Sequence, residues 1–211
     1  MKSAVRSDGR RDGAGRVKAD RPGIDKGAIE QAVRSIIRAI GESPEREGLK
    51  GTPRRIADTY EELFSGIHVD PMELLTTGFD DERHKEMIVV KDIPFDAMCE
   101  HHFMPFHGSA HVGYIPQGRI VGISKIARVV EVLARRPQVQ ERLTSQIADL
   151  LMEGLKARGA AVVIEAEHLC MTMRGVKKPG SRVVTSATRG IFRENASTRA
   201  EFFSILDRAG K

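Results

Sequence analysis

Residues 86–115 read EMIVVKDIPFDAMCEHHFMPFHGSAHVGYI, and this stretch decides the fold. Two apolar-rich segments, 86–95 and 106–115, predict strands, the second alternating through Ala110, Val112 and Tyr114. In the connection between them stands Cys99-Glu100-His101-His102. Thiolate and imidazole are the side chains zinc prefers, so the connection offers metal ligands at one end of a sheet.

Downstream, Ser124 is expected to cap a helix running to about Ala134, with Ile126, Val129, Val130 and Leu133 as its apolar stripe. Pro137 is expected to open a longer helix carrying Leu143, Ile147, Leu151 and Leu155, closed by Arg158-Gly159. Strands follow at 160–166 and 182–192, and a last helix at about 197–206. Upstream, residues 24–40 repeat apolar side chains at helical spacing, with Gly41 as the stop. Thr52-Pro53 reads as the start of another helix, whose face carries Ile56, Tyr60, Leu63 and Phe64. Residues 67–84 read as irregular linker with a short helical piece near 71–76. Hairpins and consecutive helices, not alternating βαβ units, predict an α+β class. Residues 27–85 are expected to form a helical N-terminal part and 86–211 a second, α+β domain.

The chain has 211 residues, 40% of them hydrophobic, with 34 Lys+Arg against 29 Asp+Glu. This composition is ordinary for a folded soluble protein, and no apolar run approaches the ~18 residues of a membrane helix. Of the net +5, residues 1–26 carry +4, with eight basic and four acidic side chains. With four glycines and few large apolar residues, that segment is expected to be a disordered basic tail. The rest holds 26 basic and 25 acidic side chains, too balanced for a nucleic-acid-binding core. Neither nucleic acid nor membrane is expected as a partner. Two cysteines cannot make a secreted disulfide framework, and no secretory h-region is visible, so a reducing cytoplasm is the expected setting.

Cys99 and His102 have the two-residue spacer usual for a local ligand pair, and Cys170 can supply a third ligand. Three ligands leave one position open, the mark of a catalytic zinc that holds and acidifies water. His101 would then point elsewhere, free for proton transfer. His168 lies two residues before Cys170, so in an extended stretch the two share a face. Taken alone, the same residues also fit buried thiols and surface histidines.

Lys125 and Arg128, at i and i+3 in a helix's first turn, suit a phosphate, with Arg174 flanking the metal residues. A solvated basic face would show the same pattern. Glu141 opens the next helix beside Gln140; its carboxylate can accept two hydrogen bonds from the N–H edge of a guanine-like ring. There is no Gly-rich phosphate loop of either common kind and no internal repeat.

Together these strings resemble the GTP cyclohydrolase I family. They are Cys99-Glu100-His101-His102-Phe103, Gly113-Tyr114-Ile115-Pro116 and the run from Gly122 to Arg128. They continue from Arg136 to Thr144, at His168-Leu169-Cys170-Met171 and at Met173-Arg174-Gly175-Val176. The resemblance spans roughly 28–207. It implies a tunnelling fold, in which antiparallel strands backed by helices close into a barrel on oligomerisation, and a homodecamer with sites between subunits. It implies conversion of GTP and water to 7,8-dihydroneopterin triphosphate and formate. Carried to this sequence, zinc falls on Cys99, His102 and Cys170, and proton transfer on His101 and His168. Glu141 would hold the guanine with Gln140 beside it, and Ser124 would meet the ribose. Lys125, Arg128 and Arg174, joined by Arg55, would bind the triphosphate. Two other readings compete. One is a related pterin or deazaguanine enzyme, which the Cys-His-Cys set disfavours. The other is a zinc-stabilised nucleic-acid module, which predicts four ligands and a basic core.

Overall fold

The computed structural model describes residues 23–80 and 84–207. Most of the expected basic tail, residues 1–22, lies outside the described residues. The chain divides into two compact units, one through Ala57 and one from Asp58.

In the first unit, α1 (Lys26–Ala39) starts where the Asp25 side chain accepts a hydrogen bond from the Ala28 amide at 2.9 Å. Val33 and Ile37 are its buried stripe, and Gly41, at φ 87°, follows its end. α2 (Thr52–Leu63) begins in this unit and continues into the second.

The second unit follows the order that the hairpin predicts. A 3-10 turn (Pro71–Leu75) precedes β1 (Phe79–Asp80), β2 (Ile88–Cys99), β3 (Pro105–Ile115) and β4 (Arg119–Ile120). Then come α3 (Ile123–Ala134), β5 (Pro137–Gln138), α4 (Gln140–Leu155) and β6 (Gly159–His168). The chain ends through α5 (Leu169–Thr172), β7 (Val183–Gly190), α6 (Ile191–Glu194) and α7 (Ala196–Asp207). A curled sheet runs β5-β2-β3-β6-β7, antiparallel except for β5 beside β2. β1 and β4 make a separate two-stranded ladder.

The run Ala160-Ala161-Val162-Val163-Ile164 is buried on both faces of β6, which explains its unbroken apolar character. Ala160, Val162 and Ile164 join the main core with Ile126, Val130, Ile147 and Leu151 of α3 and α4. Ala161 and Val163 pack on the other side with Phe192 and Phe202.

One irregularity in β2 positions the site. The pairing with β3 slips between Val90 and Ile93, where Asp92 adopts φ 55° and its amide donates to His111 Nδ1 at 3.1 Å. Before the bulge, even-numbered Ile88 and Val90 pack on the main core; after it, Ile93, Phe95, Ala97 and Cys99 do. Side chains alternate across a strand, so the extra residue moves the core face from even to odd positions. Cys99 therefore arrives on the helix-covered side.

Several boundaries differ from the sequence reading for local reasons. α3 begins at Ile123 after Gly122, with no side-chain cap, so Ser124 lies inside its first turn. Pro137 does not open α4: Pro137 and Gln138 pair in parallel with Met98 and Cys99, and the helix starts at Gln140. α4 ends at Leu155, with Lys156 in the left-handed conformation, whereas Gly159 opens β6. A Cβ at Gly159 would come within 2.9 Å of the Arg189 carbonyl oxygen, so close strand approach is what requires glycine there.

Asp92 gives a direct test of the bulge. Asp92→Val should destabilise by about 1–2 kcal/mol, because a β-branched residue resists positive φ, and Asp92→Gly by much less. Urea unfolding midpoints of the two variants against the parent check this.

Candidate metal centre and surrounding site

β2 delivers Cys99, and a tight turn returns the chain to β3. The Phe103 amide donates to the Cys99 carbonyl at 2.9 Å, and the Cys99 amide to the Met104 carbonyl at 3.0 Å. Phe103 takes φ 49°, a strained value for an aromatic residue. Its ring meets Tyr60 and Phe64 at centroid distances of 6.4 and 5.6 Å, contacts that offset the strain. The Glu100 amide donates to the Gln138 carbonyl at 3.0 Å. Its carboxylate accepts two hydrogen bonds from Arg142 of α4, at 2.5 and 2.7 Å. The Arg142 hydrogen bond holds the Glu100 carboxyl below its usual range. The turn is thus tied to α4 on one side and to an aromatic cluster on the other.

The third ligand candidate comes from the far end of β6. That strand ends at His168, and Cys170 sits on the single turn α5. The extended path expected through Cys170 is thus replaced by a helical turn. The donor atoms of Cys99, His102 and Cys170 all lie within 4.8 Å of one another. Ligands sharing a zinc ion at ~2.0–2.3 Å stand roughly 3.5–4 Å apart, so small side-chain adjustments close the set. Burial and the adjacent Cys99 push the Cys170 thiol up, while Arg174 draws it down. A bound cation would favour the Cys170 thiolate against that burial. The residues fit zinc.

Two histidines flank this set. His101 is largely exposed, with Nδ1 4.0 Å from Cys99 Sγ and Nε2 4.0 Å from Glu100 Oε1. His168 is half-buried; Phe106 stacks on its ring at 4.5 Å and 3°. Its Nε2 lies 2.7 Å from Gln140 Oε1. Burial lowers the His168 pKa, and the Glu141 charge acts in the opposite direction. Glu141 is exposed in the first turn of α4, while Gln140 before it is buried.

The candidate anion-binding groups lie apart from one another in sequence. Ser124, Lys125 and Arg128 belong to the first two turns of α3, and Arg174 follows α5 closely enough for its charge to act on Cys170. Arg55 is on α2 in the first unit. A cavity of about 300 Å³ between β2 and α3 is walled by Phe95, Asp96, Arg128, Glu131 and Arg135. The three metal-ligand candidates are not among its walls.

Sequence reasoning missed the Glu100–Arg142 clamp, the left-handed Phe103 and the surroundings of Gln140. The first had a signal, since an acidic residue inside a ligand loop needs a counter-charge. The second had none, because nothing in the string marks a positive φ at phenylalanine.

The GTP cyclohydrolase I family model matches residues 29–207. A GTP cyclohydrolase 1 of Dehalococcoides mccartyi strain CBDB1 is 60% identical over 189 residues, covering 89% of this chain and all of its own. One from Pelotomaculum thermopropionicum is 63% identical over 184 residues, 87% of this chain and 97% of its own. One from Clostridioides difficile is 56% identical over the same shares. Among solved structures, an archaeosine synthase QueF-Like in the apo form overlaps 49% of this chain and 93% of its own. At 16% identity and a TM-score of 0.42, that likeness is too slight to bear on fold or function. With the family model matched from the first helix to the last and relatives near 60% identity along nearly their whole length, the chain belongs to the GTP cyclohydrolase I family.

Proposed function

We propose that the chain converts GTP to 7,8-dihydroneopterin triphosphate and formate with zinc held by Cys99, His102 and Cys170. The observation that carries this reading is the convergence of those three donor atoms within 4.8 Å, with His168 two residues from one of them. When bound, such an ion supplies Lewis acidity and the acidification of water.

The protein's own groups do the rest. His101 and His168 are the proton-transfer residues. Protonation of guanine N7 makes C8 electrophilic, and later transfers open the imidazole ring and release formate. Glu141 holds the guanine N–H edge, with Gln140 beside it at the start of α4, and Ser124 meets the ribose. Lys125, Arg128, Arg174 and Arg55 bind the triphosphate. A triphosphate carries about four negative charges, so four basic groups are proportionate to it. The exposed N–H groups at the start of α3 add to that attraction.

The working form is a homo-oligomer, a decamer, with sites between subunits. Two observations support it. The sheet ends at β7 on one side, where Val184 is exposed, so a strand of another copy can extend it. The sheet is an open half-barrel, which suits closure by oligomerisation. Ligand thiols must stay reduced, which suits a cytoplasmic setting. Among the described residues no helix is long and apolar enough to cross a membrane.

Zinc-loaded protein incubated with GTP should release formate in step with a pterin that fluoresces after oxidation. Absence of both products from fully metallated protein would refute the activity. Zinc content should separate ligands from proton-transfer groups. Cys170→Ala should lose the metal, whereas His101→Ala should keep it and lose about 10²–10⁴ in turnover. Equal metal loss in both variants, by atomic emission, would overturn that division.

A further inference from the structure

Gln140 occupies the first position of α4 and is 1% exposed. Its side-chain nitrogen faces three acceptors: the Ile164 carbonyl at 3.1 Å, the Val183 carbonyl at 2.9 Å and Thr185 Oγ1 at 3.1 Å. Carbonyl oxygens only accept, so the amide cannot be turned end for end; its oxygen would then oppose two other oxygens in a buried site. The amide oxygen is therefore the atom that meets His168 Nε2 at 2.7 Å. That oxygen has no proton to give, so Nε2 donates. With Nε2 engaged as a donor, Nδ1 is the ring nitrogen left for proton exchange.

The hydroxyls behind Gln140 run in the same direction. Thr144 Oγ1 donates to the Gln140 backbone carbonyl at 2.7 Å, one helical turn back. Its proton is thereby engaged, so in its 2.6 Å contact with Thr185 it accepts. Thr185 gives its proton to Thr144 and turns a lone pair to the Gln140 nitrogen. The Thr144, Thr185 and His168 Nε2 protons then each have one assignment, and the two amide hydrogens of Gln140 are shared among three acceptors. Phe106, parallel to the ring at 4.5 Å, limits its rotation.

We propose that Gln140 is a positioning residue for His168, engaging the Nε2 proton so that Nδ1 is the nitrogen left for proton exchange, rather than a contact to the guanine of the substrate. Thr144 and Thr185 keep Gln140 in that orientation. The consequence for the reaction rests on the reading of His168 as a proton-transfer group; the hydrogen-bond assignment does not. A ring free to flip would present the wrong nitrogen for part of the time, and a nitrogen displaced by about 1 Å can cost 10²-fold in rate.

Two measurements test this separately from the activity itself. In zinc-loaded protein labelled with 15N-histidine, solid-state spectra should show the His168 signal, assigned by its disappearance in His168→Asn, with Nε2 protonated. The tautomer with Nε2 bare would overturn the proposal, whether or not GTP is turned over. In Gln140→Met, which fills the same space without hydrogen-bonding, kcat should fall about 10- to 100-fold with KM for GTP within about threefold of the parent. A raised KM with kcat retained would instead mark Gln140 as a substrate contact and overturn the proposal. If Gln140→Met does not fold, the tautomer in the parent protein decides.

Discussion

Everything at the site depends on the register of three neighbouring strands at one end of the sheet. Met98 lies opposite Pro105, and Phe106 opposite His168, so the ends of β2 and β6 flank the start of β3. Cys99 leaves the first strand and Cys170 follows the last, and β3 between them is the spacer. A slip of one residue in either pairing would move every side chain to the opposite face. The bulge at Asp92 belongs to the same constraint: without it, Cys99 would be on the wrong side of β2. A residue seven positions before Cys99 thus determines on which side of the sheet the candidate metal turn lies.

Once the register is set, the metal turn is rigidified by interactions that ask little of the metal. Glu100 is clamped to Arg142 and Gln138, Phe103 is wedged among Tyr60 and Phe64, and the Cys99 and Phe103 amides close the turn on itself. α4 contributes to both sides of the site, through Arg142 toward the turn and through Gln140 toward His168. Short β5 explains how: by pairing with Met98 and Cys99 it brings the start of α4 against the end of β2. The departure from the expected helix start at Pro137 is therefore the feature that joins helix and ligand.

The string of residues revealed the architecture well where the signal is periodic. Alternation and 3.6-residue spacing placed the strands and helices, and Cys99 and His102 do come together with Cys170 in a set that could hold a metal. Cys170 was legible as a candidate ligand by type but not by path, because four residues of helix after a strand leave no periodic trace. The parity slip in β2 was visible in principle: Ile88 and Val90 are even, Ile93, Phe95 and Ala97 odd. Arg142 and Gln140 were harder, since their partners lie 42 and 28 residues away. Polar pairing across that separation is a product of packing and leaves no local pattern.

The charge distribution acquires a different sense beside this geometry. Of the net +5, four belong to residues 1–26, and the remainder of the chain is almost neutral. A near-neutral body exerts little long-range pull on a polyanion, and beyond about 10 Å ordinary salt screens what remains. Affinity for a triphosphate must then come from a few cations meeting it directly. Lys125 and Arg128 share one helix start, Arg174 stands near Cys170, and Arg55 belongs to the other unit. These candidate groups come from distant parts of the chain. A compact polyanion, able to meet several cations at once, gains more from a few such contacts than an extended one of the same charge.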